Sequence, residues 1–299
     1  MSTSVTVLPG SGKQGQAAIS ELIERGYTVH TLVRNASSDI SKHLQSLGAT
    51  LHTGDLADVK SIEASLEHSE SLFFAIPAHP VNEISFAENI LAAARNKSVK
   101  NIIYSSVART GDHESFPGWD ADSYPLAWYW TNKQKIEDLV RTAGFPNWTI
   151  LRPAFFVQNF CSPEVNYMFP GLADTQRLSI AYTPSTRLDL IDTKDIAKFA
   201  VAALDAPERF SGQEIPLAIE KLTADELAEL LGAISGKQIS VQYLSDDEAA
   251  KLVAQGHLTV TAQQWQRDVG YCVDLEKTRQ YGITLTPVRE ALERDTLKW

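Results

Sequence analysis

The sequence predicts an α/β protein with a doubly wound parallel sheet and a smaller C-terminal lobe. Three observations carry that prediction. Short apolar runs alternate with helix-periodic segments from Val5 to Leu151. A glycine-rich turn directly follows the first run. After Leu151 the rhythm breaks into a stretch rich in aromatics, Pro and Asn. With 299 residues, 43% hydrophobic and 21% charged, the chain can fill a substantial core.

Val5-Thr6-Val7-Leu8 is a β-rich run closed by Pro9-Gly10. The helix after it carries Ala18/Leu22 and Ile19/Ile23 as i,i+4 pairs and ends before Gly26, the residue a helix C-terminus favours. Tyr27–Val33 is built of β-formers and gives the second strand. A polar segment and a helix then lead to the third, Thr50–Thr53. A helix around Val59–Leu66 precedes Leu72–Ile76, an unbroken apolar run of the kind a strand buried on both faces needs. The next helix aligns Phe86, Ile90, Leu91 and Ala94 on one face. Asn101–Tyr104 and Trp148–Leu151 complete six strands, with a helix over Tyr129–Thr142 between them. Strand–helix alternation at this spacing calls for right-handed crossovers and helices on both faces.

Residues 153–187 predict irregular structure. Arg187–Ile191 and a helix over Thr193–Leu204 read as a return to the parallel core. The predicted division is therefore a sheet domain over 1–152, rejoined at 188–205, and a lobe within 153–299. Helices over Ala224–Ile234 and Asp246–Gln255, the second opened by a cap at Ser245–Glu248, belong to the lobe.

Composition excludes several classes. A formal net charge of −10 and a pI of about 5.2 argue against a reader of duplex DNA, which needs a basic face, although a local basic groove could still hold a small anionic cofactor. Cys161 and Cys272 lie far apart, so neither a disulfide scaffold nor a metal site is expected, and a reducing compartment follows. The start at Met1–Ser4 lacks a basic n-region and an apolar h-region, and no apolar run spans a bilayer. The expectation is a soluble cytoplasmic monomer or homodimer with a small-molecule ligand and no membrane or nucleic-acid partner.

Gly10-Ser11-Gly12-Lys13-Gln14-Gly15 is G-x-G-x-x-G between a strand and a helix. That chemistry wants glycine for the tight turn, for close approach to a pyrophosphate and for helix–strand packing. The helix N-terminus then offers free N–H groups to the phosphates. Lys13 does not make a P-loop, because Gln14 follows it and the G-x-x-x-x-G-K spacing is absent. Strand two ends in Arg34 where an NAD-binding chain usually has an acid, and a guanidinium suits a 2′-phosphate. The expected cofactor is NADP(H). Asp55 and Leu56 after strand three would flank its adenine, and Ala75 after strand four would line its middle, unless both are ordinary strand-to-helix turns.

Tyr129 and Lys133 stand one helical turn apart on one face. A nearby ammonium favours phenolate and lowers a tyrosine pKa from about 10, so the pair suits proton transfer as hydride moves at a carbonyl. Lys133 also suits the nicotinamide ribose. Tyr129 lies in the stretch Trp128-Tyr129-Trp130, so packing is its alternative role.

Taken together, these segments resemble the NmrA-like branch of the atypical short-chain dehydrogenases/reductases. The likeness continues through Tyr104-Ser105-Ser106, Lys133 with Glu137, Arg152-Pro153-Ala154-Phe155-Phe156 to Asn159, Asp189-Leu190-Ile191-Asp192 and Asp195-Ile196-Ala197. The resemblance implies a Rossmann domain, a small C-terminal substrate-binding lobe and a substrate in the cleft between them. It implies either an NADPH-dependent reductase of a quinone, enone, ketone or imine, or an NADP(H)-sensing regulatory protein without turnover. An isomerase or cyclase on the same fold stays open, because function lives in the site.

Many NmrA-like members lack the Tyr-x-x-x-Lys spacing kept here. In extended relatives the catalytic serine is the third residue of a Ser-Ser-x stretch. Val107 occupies that place, and Ser106 is the nearest substitute. His113 and Trp119 in the loop 108–125, with Phe155, Phe156 and Asn159, are candidate substrate contacts. Together with Trp128, Tyr167 and Phe169 they would form either an aromatic cleft for a flat apolar substrate or the lobe's own core.

Overall fold

All six expected strands form and pair in parallel. They are β1 (Ser4–Leu8), β2 (Thr28–Val33), β3 (Thr50–Thr53), β4 (Ser71–Phe74), β5 (Asn101–Ser105) and β6 (Asn147–Pro153), in the order β6-β5-β4-β1-β2-β3. This is a computed structural model, and it describes residues 3–295, 297 and 299. A seventh strand, Gln213–Leu217, lies beside β6. The order reverses between β1 and β4, which makes the carboxyl ends of those strands the place where this kind of sheet opens a crevice.

Strand alternation assigns the two faces. Leu8, Leu32, Leu72, Phe74, Ile102, Tyr104 and Ile150 join one buried cluster. They meet α3 (Val59–Ser65), α4 (Glu83–Asn96) and α5 (Ala127–Thr142) through Ile62, Ile90, Leu91, Ile136 and Val140. Each fully buried aliphatic or aromatic side chain there contributes about 1.5–3 kcal/mol. Thr6 is a polar residue inside a buried strand, and it is satisfied: its hydroxyl donates to the Ser65 carbonyl at 2.8 Å and shares a second hydrogen bond with the Ser69 hydroxyl at 2.7 Å. Against the other face, α1 (Lys13–Glu24) packs along the helix Thr193–Asp205, and Tyr27 donates to Asp205 at their edge. The helix α2 (Asp39–Leu47) is capped by Ser38 and closed by Gly48 at φ 109°.

The chain divides into two compact units. The first contains 1–111, 128–153 and 193–215; the second contains 112–127, 154–192 and 216–299. Two boundaries differ from the sequence division. The return to the sheet domain starts at Thr193 rather than 188, because Leu188–Ile191 pairs with Phe155–Phe156 and Glu220–Leu222 in a separate three-stranded sheet. The loop from Asp112 to Ala127, placed within 1–152 on sequence, belongs to the second unit. Strand propensity reports that a segment is extended, not which sheet it joins.

Within the second unit, Arg177–Ile180 pairs in parallel with Ser240–Tyr243. Helices over Ala224–Ser235 and Asp246–Ala254 open with capping boxes at Thr223/Glu226 and Ser245/Glu248. Among the described residues, no helix is long and apolar enough to cross a membrane.

Candidate active site

The three glycines of the turn meet different surroundings. A Cβ on Gly10 would lie 2.2 Å from the Thr31 hydroxyl oxygen of β2. One on Gly15 would lie 2.2 Å from the Pro9 carbonyl. A Cβ on Gly12 would meet nothing within 4 Å, and Gly12 is the N-cap of α1 with no side-chain cap. Gly10 and Gly15 are therefore packing glycines, while Gly12 leaves an open approach to an uncapped helix end, as an anion cradle requires.

Separate losses follow. Gly15→Ala is expected to cost about 1–3 kcal/mol of stability, because a backbone oxygen cannot yield as a side chain would. Gly12→Ala is expected to keep the melting temperature and weaken NADPH binding by roughly tenfold or more. Thermal melts and nucleotide titration of both variants check this.

The other expected cofactor residues are unevenly placed. Ser11 is exposed and Lys13 half-buried at the turn. Gln14 is turned inward, where its Oε1 accepts from Ser105 Oγ at 2.6 Å and ties α1 to the end of β5. Arg34 is exposed at the end of β2, and its guanidinium has no ion pair with a described residue. Asp55 is exposed and accepts from its own turn, at the Ala57 N–H. Leu56 packs in the core beside Leu8 and Leu32. Ala75 is half-buried, and its N–H donates to the Leu8 carbonyl at 2.9 Å, joining the ends of β4 and β1.

The end of β5 and the start of α5 bring the expected proton-transfer groups into the same unit. Tyr129 is half-buried between Trp128 and Trp130, whose rings meet it edge-on at 6.0 and 5.2 Å. Lys133 Nζ sits 5.8 Å from the centre of the Tyr129 ring. Ser106 is buried with its Oγ 3.3 Å from that of Thr110, while Val107 supplies the carbonyl that Thr110 Oγ1 donates to.

Sequence reasoning missed two groups here. Glu83 opens α4, is fully buried and places Oε1 2.6 Å from Lys133 Nζ. The Tyr104 hydroxyl is fully buried beside Ser106, with no aligned hydrogen bond among the described residues. Burial and the charges of Glu83 and Glu137 push its ionisation well above the ordinary tyrosine range, so it stays a phenol.

One turn further along α5, Glu137 is fully buried. It accepts from Arg141 at 2.6 Å and from Arg152 of β6 at 2.6 and 3.0 Å. Glu214 closes the network on both arginines. These charges are spent on one another.

The expected substrate contacts belong to the second unit. His113 is buried; its Nδ1 has no hydrogen-bond partner among the described residues, and its ring meets Trp119 at 4.7 Å. Trp119 also lies 5.0 Å from Tyr124, and Phe116 adjoins both Trp119 and Trp265. Phe155 is buried beside Phe160 and Phe169, which stack at 4.7 Å, so it packs in the unit's own aromatic core. Phe156 and Asn159 are half-buried, whereas Tyr167 is exposed.

A doubly wound sheet with an open glycine turn at its order reversal defines a Rossmann-type protein. The chain belongs to the NmrA-like family, which its residues 1–284 match. An NAD(P)H azoreductase of Xenophilus azovorans is 24% identical over 246 residues, covering 82% of this chain and 78% of that one. NmrA, a negative transcriptional regulator solved with NADP, is similar in structure with a TM-score of 0.77 at 18% identity, covering 99% and 95% of the two chains. The NADPH-dependent quinone oxidoreductase QOR2 of Escherichia coli, solved with NADPH, gives 0.75 at 21%, covering 98% and 99%. The α/β class expected from the sequence and its NmrA-like resemblance both hold.

Proposed function

We propose that this chain is an NADP(H)-dependent reductase of an aromatic or conjugated small molecule such as a quinone, enone, ketone or imine. The observation that carries the reading is the open, uncapped helix start at Gly12 in the same unit as Tyr129 and Lys133. The residues present fit a dinucleotide: a glycine edge no side chain fills, and an exposed guanidinium at Arg34 for a 2′-phosphate. NADPH, when bound, would supply hydride.

Gly10–Gly15 and the first turn of α1 bind the diphosphate, Arg34 selects the 2′-phosphate, and Asp55 and Ala75 border the nucleotide. Lys133 holds the ribose, and Tyr129 gives its proton to the oxygen, nitrogen or α-carbon that takes up the electron pair when hydride adds to the neighbouring carbon. Ser106 is proposed to orient the accepting oxygen or nitrogen. His113, Trp119, Phe156 and Asn159 are proposed substrate contacts. The relationship to an azoreductase and a likeness to a quinone oxidoreductase support a reductase.

Titration with NADPH and NADH, followed by an acceptor screen that monitors nucleotide absorbance, tests this. Arg34→Ala is expected to weaken NADPH binding by roughly tenfold to a hundredfold, with NADH unchanged, since one charge-assisted bidentate contact is worth about 1.5–3 kcal/mol. Preference of the unaltered protein for NADH overturns the role of Arg34.

A second reading, an NADP(H)-sensing binding protein without turnover, is favoured by one observation: the Lys133 charge is committed to Glu83. It predicts no nucleotide consumption with any acceptor, and a protein partner whose affinity depends on the cofactor's redox state.

A further inference from the structure

We propose that Glu83 is a positioning residue for Lys133, its carboxylate fixing the buried ammonium in place and offsetting the cost of burying it. This rests on the reading of Lys133 as the ribose-holding residue.

Burial is the first argument. Lys133 is 4% exposed and Glu83 is 0% exposed. At such depth desolvation disfavours either charge alone, and a close opposite charge restores it. The 2.6 Å contact between Nζ and Oε1 supplies that charge.

Local architecture is the second. Asn132, the neighbour of Lys133 on α5, donates from Nδ2 to the His79 carbonyl at 3.3 Å. The His79 N–H lies 3.5 Å from Glu83 Oε2, and His79 Nδ1 accepts from the N–H groups of Val81 and Asn82 at 3.1 and 3.2 Å. Consecutive residues of α5 thus grip the loop that enters α4, which fixes the carboxylate before the lysine reaches it. Fixed partners of this kind make a buried pair worth its desolvation.

The rest of the neighbourhood offers no substitute. Arg141 and Arg152 are bound to Glu137 and Glu214. Among the described residues, the other titratable groups near the pair are the Tyr104 phenol, held protonated and also acted on by the Glu137 carboxylate, the Tyr129 ring and His79.

The test is NADPH affinity by fluorescence titration from about pH 6.5 to about pH 9.5, below the ordinary lysine range at about 10.4. The unaltered protein is expected to keep one affinity across that range. Glu83→Gln is expected to match it at the acid end and weaken by about tenfold toward the alkaline end, where a buried ammonium without its carboxylate is least favoured. Lys133→Met and the double variant should bind weakly with no such slope.

A Glu83→Gln profile parallel to that of the unaltered protein overturns the proposal. Wild-type affinity in Lys133→Met overturns instead the reading of Lys133 as a ribose anchor, and melting temperatures then decide the pairing. The double variant, with both charges removed, is expected to melt above Glu83→Gln, including where Glu83→Gln does not fold well enough to titrate. A double variant that melts no higher overturns the pairing.

Discussion

Replacing Tyr129 by Phe is expected to lower turnover by about 10²–10⁴-fold while NADPH affinity stays within about twofold, since a positioned general acid is worth that much. The split is the diagnostic part. Phe keeps the edge-on contacts with Trp128 and Trp130, so the start of α5 keeps its packing. Only the hydroxyl is lost. Other hydroxyls in the unit are poor replacements: Tyr104 is fully buried with its ionisation pushed up, and Ser106 is buried beside Thr110. Single-turnover reduction with saturating NADPH and an acceptor from the screen reads the effect. Unchanged turnover removes Tyr129 from the acid role, whereas absence of turnover in the unaltered protein favours the binding-protein reading.

The local parts of this fold were legible because each is announced within a few residues. β1, β4 and β5 are short apolar runs ended by Pro-Gly, a proline or a polar turn, and Gly26 closes α1 where its periodicity stops. Lys133 was legible from Tyr129 for the same reason, since i,i+4 fixes their shared face. Glu83 was not. An acidic residue in the first turn of a helix has a sufficient local explanation in the helix dipole, and nothing near it in sequence points to α5.

The strand Leu188–Ile191 failed in the same way. Its four buried residues are equally compatible with either sheet, and pairing with Phe155–Phe156 is a long-range property. Phe155 and Phe169 illustrate the third limit, because an aromatic cluster reads alike whether it lines a cleft or fills a core. His113, expected as a substrate contact, is buried against Trp119, and a loop histidine gives no sequence sign of that burial.

Glu137→Ala is expected to cost about 3–5 kcal/mol of stability, the loss found when one member of a buried ion pair is removed. That corresponds to a fall of about 10 °C in melting temperature for a protein of this size. The magnitude comes from what remains. Arg152 and Arg141, with side chains 16% and 24% exposed, would face an apolar methyl where three hydrogen bonds had been. Glu214 still reaches both at 2.6–2.7 Å, which limits the loss without cancelling it, since one carboxylate then serves two guanidinium groups.

Glu214→Ala is the contrasting variant. Its side chain is 29% exposed, so water replaces part of what is removed, and about 1 kcal/mol is expected. Burial works against the Glu214 charge, yet its bonds to the two arginines hold its carboxyl below the usual range. A depressed carboxyl stabilises the fold fully above its unfolded value of about 4.3, and that contribution disappears as pH falls through the folded value. Acid unfolding of the unaltered protein and the Glu214→Ala variant should therefore diverge above about pH 4.3 and converge below it. Because the network joins α5 to β6, a Glu137→Ala protein that melts early but binds NADPH normally at low temperature would separate this structural cluster from the Lys133–Glu83 pair one turn away. Equal loss of binding in both would instead mean that α5 responds as one unit.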